Sequence, residues 1–255
     1  MMVWGEKQFR LKNSDEELFL HEMSRSRLLN EIACLLFPDK CVGCDLLCSA
    51  PICPRCFFNL VANVNSLGCA PEQDFVIAGK RHVNRALSGV RVRAGGTYRG
   101  SLKSLVLGLK NSGMRFALPL CELMVIAAGN DPSFICPDIV TFVPTTKRKM
   151  KMRGFNPSEV LSALLCERLD LPLVAALEVR RSVKDQDGLS AQERWENANG
   201  AFGLRPGFEK LIPGLRVLIV DDVITTGATI WNCAVPFFEH GAKEVCALIA
   251  AASAI

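Results

Sequence analysis

The chain reads as an α/β protein built on a mainly parallel, doubly wound sheet, and three features of its second half carry that reading. Residues 139–143, 217–220 and 245–250 are strand-length apolar runs. They lack the polar alternation of a half-exposed strand, as strands covered on both faces do. Amphipathic helical stripes separate them, and strands alternating with helices at this spacing imply a parallel sheet. The run 217–220 is followed at once by the acid pair Asp221-Asp222, and then by the hydroxyl-rich turn Thr225-Thr226-Gly227-Ala228-Thr229.

At 255 residues the chain holds one large domain, or a main domain with a small appendage. An apolar share of 49% and a charged share of 22% are those of a globular protein with an adequate core. A net charge of +4 is mild, so any nucleic-acid binding has to come from local clusters. No apolar run approaches the roughly 18 residues that span a bilayer, so no membrane insertion is expected. The opening residues mix acids and bases and lack the apolar segment of a signal peptide, and a cytoplasmic location is expected. Twelve cysteines in that setting point to reduced thiols, some of them metal ligands, rather than to disulfides.

In chain order, Ser14 with Glu17 is a capping-box signature. Leu18, Leu28, Leu29, Ile32, Leu35 and Leu36 follow at helical spacing until Pro38, so one or two helices are expected. Next comes Cys41-x2-Cys44-x8-Cys53-x2-Cys56. Each C-x2-C pair bends the backbone into a knuckle that offers two thiolates to one metal. Two knuckles complete a tetrahedral four-sulfur site with no open position, a structural zinc ribbon. Cys48 is a spare thiol. Cys121, Cys136, Cys166, Cys233 and Cys246 lie singly in apolar surroundings and read as small buried hydrophobes.

Residues 57–97 carry little pattern, apart from Val90, Val92 and Ala94 alternating with arginines, an exposed-edge strand. Leu102, Leu105, Val106 and Leu109 form a helical stripe that ends in Lys110 and Gly113. Lys103 and Lys110 lie on that helix's solvated face, or else contact pyrophosphate or nucleic acid. Residues 115–129 read as a further helix with Pro119 near its first turn. The strand 139–143 runs into Pro144-Thr145-Thr146 and a basic stretch holding Lys147, Arg148, Lys149, Lys151 and Arg153. Pro157 opens an amphipathic helix, 173–179 supplies a second strand, and 229–240 forms a helix kinked at Pro236 and stopped by Gly241.

By itself an acid pair after a strand is commonly a turn or a helix cap. Receiver domains and Walker B strands also end in acids. Too little chain follows Asp222 to complete a receiver, however, and no G-x-x-x-x-G-K-[ST] loop occurs anywhere. The attached turn decides between the remaining readings. Backbone N–H groups at a helix start, short hydroxyl side chains and a glycine without Cβ suit a phosphate monoester. The stretch therefore offers carboxylates for sugar hydroxyls beside a cradle for phosphate.

With that turn attached, the stretch resembles the 5-phosphoribosyl-1-pyrophosphate (PRPP) loop of type I phosphoribosyltransferases. Leu35-Leu36-Phe37-Pro38-x-x-Cys41-x-x-Cys44, the second C-x2-C and a phosphoribosyltransferase-like domain together resemble the ComF family, whose members are linked to competence for DNA uptake. Tyr98-x-Gly100 with Leu109-Lys110-x-x-Gly113 is similar to another family element, and Arg153-Gly154-Phe155-Asn156 to a third. The segment from Arg180 through Gln186, Leu189, Arg194 and Asn197 to Ala201-Phe202 is similar to a fourth, with Val183 where the family has Thr.

The resemblance implies a tail and helix over 1–38, a zinc ribbon over 39–60, a hood with connecting helices over 61–135 and a phosphoribosyltransferase core over 136–255. It implies that Asp221 and Asp222 hold the ribose hydroxyls, directly or through Mg²⁺, and that Thr225, Thr226, Gly227, Ala228 and Thr229 anchor the 5′-phosphate. Thr145, Thr146, Lys147 and Arg148 would receive pyrophosphate, with Arg153 contacting the substrate, and the segment after Arg180 would form a flap. The implied activity is transfer of phosphoribose to an acceptor. The alternative is a non-catalytic PRPP-sensing or single-stranded-DNA-binding competence factor that partners a helicase.

Overall fold

The computed structural model describes residues 39–66, 75–77, 89–181 and 190–253. The expected capping box at Ser14, the expected helical run to Leu36 and the part of the expected flap that holds Val183, Gln186 and Leu189 lie outside them. The chain divides into two compact units, Met1–Cys53 and Pro54–Ile255.

In the first unit, strands β1 (Asp39–Lys40) and β2 (Leu47–Cys48) form an antiparallel pair with Asp39 opposite Cys48 and Lys40 opposite Leu47. The turn between them is closed by Cys41 N–H donating to the Leu46 carbonyl at 2.8 Å and by Asp45 N–H donating to the Cys41 carbonyl at 2.9 Å.

The second unit opens with helix α1 (Pro54–Ser66) and the short strand β3 (Phe75–Ile77), neither of which the sequence pattern announces. Strand β4 (Val90–Ala94) leads to α2 (Gly100–Ser112), a short 3₁₀ turn at Met114–Phe116, α3 (Ala117–Ala128) and α4 (Pro132–Ile135). After β5 (Ile139–Phe142) come α5 (Lys147–Arg153) and α6 (Pro157–Leu169). Strand β6 (Leu177–Val179), α7 (Ala191–Ala198) and β7 (Phe202–Leu204) form a side module, with β6 and β7 antiparallel. Strand β8 (Arg216–Ile224), α8 (Ala228–Glu239) and β9 (Glu244–Ala252) complete the chain's described elements.

The central sheet has the order β3-β4-β9-β8-β5, parallel throughout except for the antiparallel pairing of β3 with β4. Its two faces separate by the period of two along each strand. Val217, Ile219, Val245, Ala247 and Ile249 share one buried cluster with Ile230, Trp231, Cys233, Ala234 and Phe237 of α8. Leu218, Val220 and Leu248, also fully buried, point the other way, to the face on which α2, α3 and α6 pack. Helices on both faces make the sheet doubly wound, which is why its central strands read as continuous apolar runs. The stripe Leu102, Leu105, Val106 and Leu109 is buried as the sequence implies. Pro236 lies inside α8.

Three expectations are corrected. Strand β4 is interior, hydrogen-bonded to β3 on one side and β9 on the other, and Val90 and Val92 are fully buried. Its arginines alternate with apolar residues because they are paired with Asp131, not because they face water. The stretch 173–179 is not one strand. Leu173 bridges Val140 alongside β5, whereas only Leu177–Val179 is extended into a ladder, and that ladder belongs to β7. Among the late cysteines, Cys121, Cys166, Cys233 and Cys246 are buried, and burial pushes the thiols of Cys121 and Cys166 up to about 12. Cys136 is exposed, because it lies at the C-terminal cap of the single turn α4 rather than in a packed element.

Arg93 is 8% exposed, donates to the Ala128 carbonyl at 2.7 Å and meets Asp131 at 3.1 Å. Arg91 also pairs with Asp131. The Arg91 and Arg93 guanidinium groups lie over the Phe134 ring, at 5.3 and 4.6 Å from its centroid respectively. Burial acts to raise the pKa of Asp131, but the Ser133 N–H and the two guanidinium groups outweigh it and hold the carboxyl below its ordinary value. A depressed folded pKa gives stability that is present above the unfolded value and lost as pH falls through the folded one. Asp131→Ala, which strands a buried guanidinium, is therefore expected to lower the unfolding free energy by about 2 kcal/mol at pH 7. In urea titrations that deficit should shrink in acid. A deficit independent of pH would show that the carboxylate's charge is not what holds this corner.

Candidate functional site

The cleft of the second unit follows from one mismatch in strand length. Strands β5 and β8 pair from Ile139 opposite Val217 to Phe142 opposite Val220, after which Val143 N–H makes a last bond to the Val220 carbonyl at 3.0 Å. Pro144 has no N–H to continue the ladder. Strand β8 nevertheless runs on beside β9, pairing Asp221 with Ile249, Val223 with Ala251 and Ile224 with Ala252. The acid pair is thus inside the strand and not beyond it, at the point where its neighbour has turned away. The gap opens a cleft of about 640 Å³ at the carboxyl ends of the strands, where open parallel sheets bind ligands.

Asp221 is buried. Its Oδ1 accepts from the Ser158 hydroxyl at 2.7 Å and from the Asp222 N–H at 2.9 Å. Burial, reinforced by the neighbouring Asp222 charge, pushes its pKa up to about 7, against the pull of those two donors. Asp222 makes an ion pair with Lys110 of α2, Oδ2 to Nζ at 3.0 Å. Lys110, left by the sequence between a solvated face and a ligand contact, lines the cleft beside Asp222. Lys103 instead lies 5.9 Å from the Tyr98 ring centroid.

On the far side of the acids, Thr225 and Thr229 line the cleft, while Thr226, Gly227 and Ala228 line the small recess that continues it. Gly227 has φ 77°, a left-handed conformation that costs a residue without Cβ little, and it caps α8. Thr226 Oγ1 accepts from Ala228 N–H at 3.4 Å. The first turn of α8 leaves backbone donors with no partner inside the helix, and its residues Ala228, Thr229 and Ile230 line this recess. Across the cleft stand Thr145 and Thr146, and Thr146 caps α5 by accepting from Lys149 N–H at 3.3 Å.

The sequence-derived set is therefore brought together in large part. Asp221, Asp222, Thr225, Thr229, Thr145, Thr146 and Arg153 share the cleft. Lys147 and Arg148 are exposed on α5 and are not among the residues that line it; Lys149 is. The register of a helix explains this, since α5 presents only one side of its cations to the cleft. Asn156, Ser158 and Arg194 are cleft residues that sequence reasoning leaves unassigned, and Lys110 is one that it leaves open. All four lie inside or beside the motifs of the resemblance, which was the available signal.

Around residues 41–56, the sulfur atoms of Cys41, Cys44, Cys53 and Cys56 all lie within 4.8 Å of one another. Burial opposes ionisation of Cys41. The Cys53 and Gly43 N–H groups donate to its sulfur at 3.2 and 3.3 Å, outweigh that effect and bring the thiol down to about 6. Four thiol donors at these separations could hold a metal ion such as zinc, for which sulfur ligands in a tetrahedron are suited. Cys48 Sγ donates to the Ala50 carbonyl at 2.8 Å. Among the described residues no helix is long and apolar enough to cross a membrane.

A doubly wound parallel sheet that carries an acid pair and a threonine-glycine turn at its carboxyl ends defines a phosphoribosyltransferase-like α/β protein. Comparison with solved structures returns the Bacillus subtilis glutamine PRPP amidotransferase complexed with ADP and GMP. That chain is 21% identical over 54% of this chain and 27% of its own length, at a TM-score of 0.36. An allosteric regulatory enzyme of purine biosynthesis matches at 21% identity and a TM-score of 0.33 over 51% of this chain and 24% of its own length. Such scores add nothing to what the strand order already shows. No family model matches the chain. Among curated proteins, the DNA utilization protein YhgH of Salmonella typhi is 31% identical over 199 residues, 76% of this chain and 81% of that protein. Competence protein F of Haemophilus influenzae is 34% identical over 110 residues, 43% of this chain and 48% of its own length. The chain belongs to the ComF family, that of DNA utilization protein YhgH and competence protein F.

Elemental analysis of the purified protein is expected to return about one zinc per chain, and none after Cys41→Ser with Cys53→Ser. Retention of the metal by that double variant would mean that other residues hold it.

Proposed function

We propose that the cleft binds PRPP and that the protein transfers its phosphoribosyl group to an acceptor nitrogen with release of pyrophosphate. The observation that carries this reading is the meeting of Asp221 and Asp222 with the Thr225–Thr229 turn on one side and Thr145 and Thr146 on the other, all lining one cleft or its recess. A volume of about 640 Å³ has room for a phosphorylated sugar together with a second reactant.

In this reading, Asp221 and Asp222 accept hydrogen bonds from the ribose 2′- and 3′-hydroxyls, while the α8 turn takes the 5′-phosphate through backbone N–H and hydroxyl groups. Thr145 and Thr146, with Lys149 and Arg153 at hand, hold the diphosphate. The bond from C1 to the diphosphate oxygen breaks with its electron pair leaving on pyrophosphate. The bond from C1 to nitrogen forms, and the nitrogen gives up a proton to the departing pyrophosphate or to water. Positive charge builds on the ribose as the leaving group departs, and the two carboxylates are placed to steady it. Positioning and electrostatics supply the catalysis, so no protein nucleophile is needed. Oxygen donors of this kind also suit Mg²⁺, which would accompany the diphosphate and offset its charge. The four-cysteine cluster, with every position filled by sulfur, acts as a structural zinc site. Reduced thiols of this number are at home in the cytoplasm.

A second reading draws on α5. Lys147, Arg148 and Lys151 are exposed there, beside the 72% exposed Met152, and none of them lines the cleft. Such a surface fits single-stranded DNA in a competence factor that works with a helicase. It is compatible with PRPP serving as a sensed ligand.

Calorimetric titration with PRPP in Mg²⁺ should show binding that disappears in Asp221→Asn with Asp222→Asn. Given a suitable acceptor, the wild-type protein should also release pyrophosphate. No heat of binding from the wild type would refute the PRPP reading, whereas binding with no release over a wide acceptor panel would favour the sensor. For α5, the affinity for single-stranded DNA should fall steeply with salt. Neutralising Lys147, Arg148 and Lys151 should reduce that log–log slope by about 2. Undetectable or salt-insensitive binding would remove the second reading.

A further inference from the structure

The stretch Asn156-Pro157-Ser158 has no assigned role beyond starting a helix, yet it touches both walls of the cleft. Pro157 takes the first position of α6, where a missing N–H costs nothing, and Asn156 caps the helix by accepting from Ser158 N–H at 3.3 Å. The other end of the same amide donates to the Val143 carbonyl at 2.9 Å, the last peptide before Pro144 and the threonine turn. Ser158, 4% exposed, donates its hydroxyl to Asp221 Oδ1 at 2.7 Å. Asn156, also 4% exposed, and Ser158 are thus held by bonds to backbone and carboxylate in a place where neither has room to move.

The consequence for Asp221 lies in how its two oxygens are used. Both described bonds to the carboxylate, from the Ser158 hydroxyl and from Asp222 N–H, end on Oδ1. Asp221 keeps 8% exposure and lines the cleft, and no described bond ends on its Oδ2. A carboxylate fastened by one oxygen keeps the lone pairs of the other aimed in a fixed direction. A hydrogen-bonding ligand then binds without first ordering the side chain.

We propose that Ser158 is the positioning residue of this site, fixing Asp221 by Oδ1 so that Oδ2 is presented to a ribose hydroxyl. The proposal rests on the PRPP reading above. Ser158 itself touches no ligand; it acts through Asp221. Asn156 sets the place of Ser158 relative to the threonine turn by tying the start of α6 to Val143. The spacing between the hydroxyl-binding and diphosphate-binding sides is thereby built into one helix start.

Two probes separate this role from a general loosening of the cleft. PRPP engages the ribose side and the diphosphate side, whereas inorganic pyrophosphate lacks the sugar and has nothing to offer Asp221. Calorimetry in Mg²⁺ with Ser158→Ala should show PRPP affinity falling about tenfold, the scale expected for a hydrogen bond to a charged group, with pyrophosphate affinity changed less than about twofold. Ser158→Cys, close in volume but a weaker donor, should fall between wild type and Ser158→Ala, and it serves as the test variant if the alanine protein is poorly folded. Unchanged PRPP affinity overturns the proposal. An equal loss for PRPP and pyrophosphate overturns it as well, because it would show that the whole cleft has been disturbed. A wild-type protein that binds no PRPP fails the underlying reading instead, and that outcome is distinct from wild-type binding that Ser158→Ala leaves intact.

Discussion

The site depends on a ladder that stops on one side of β8 and continues on the other. Val220 is the last residue of β8 bonded on both flanks; from Asp221 onward the strand is held by β9 alone. A backbone paired on one edge is still extended and rigid, but its other edge is open to whatever fills the gap left by β5. Two adjacent side chains of a strand point to opposite faces. Asp221 and Asp222 accordingly find different partners, Ser158 from α6 and Lys110 from α2. The pair is therefore not symmetric, and its asymmetry arises from strand geometry and not from the identity of the acids.

Much of this was legible in the sequence because it is local. The apolar runs of β5, β8 and β9, the threonine-glycine turn before α8 and the two C-x2-C knuckles are short patterns whose physics is complete within a few residues. Strand β4 is not legible in this way, because its alternating arginines look solvated until Asp131, distant in sequence, is brought beside them. Lys110 was ambiguous for the same reason: a lysine at the end of a helical stripe is ordinarily in water, and only the fold sets it against Asp222. Ser158 carried no signal of its own, since serine near a helix start already has a sufficient explanation as part of a capping turn.

The basic stretch illustrates a different limit. Five cations in close succession suggest one function, but a helix distributes them around its axis. Lys149 and Arg153, four residues apart, line the cleft, while Lys147, Arg148 and Lys151 are exposed. Composition alone cannot sort residues that a single turn of helix separates. The same stretch thus presents two separate sets of cations, one inside the cleft and one outside it.

Asp221 also bears on what this fold would become if its ligand ceased to matter. A carboxyl group buried beside a second carboxylate resists ionisation, so that at neutral pH and above its charge works against the folded state. Nothing in the packing of the sheet requires an acid there; an amide of the same shape could take the bond from Ser158. The residue that most resembles a binding group is in this sense a flaw in the core, maintained against the direction in which stability would drift. Selection for heat resistance alone, with no demand for ligand, would be expected to discard Asp221 early and to leave the surrounding sheet unchanged.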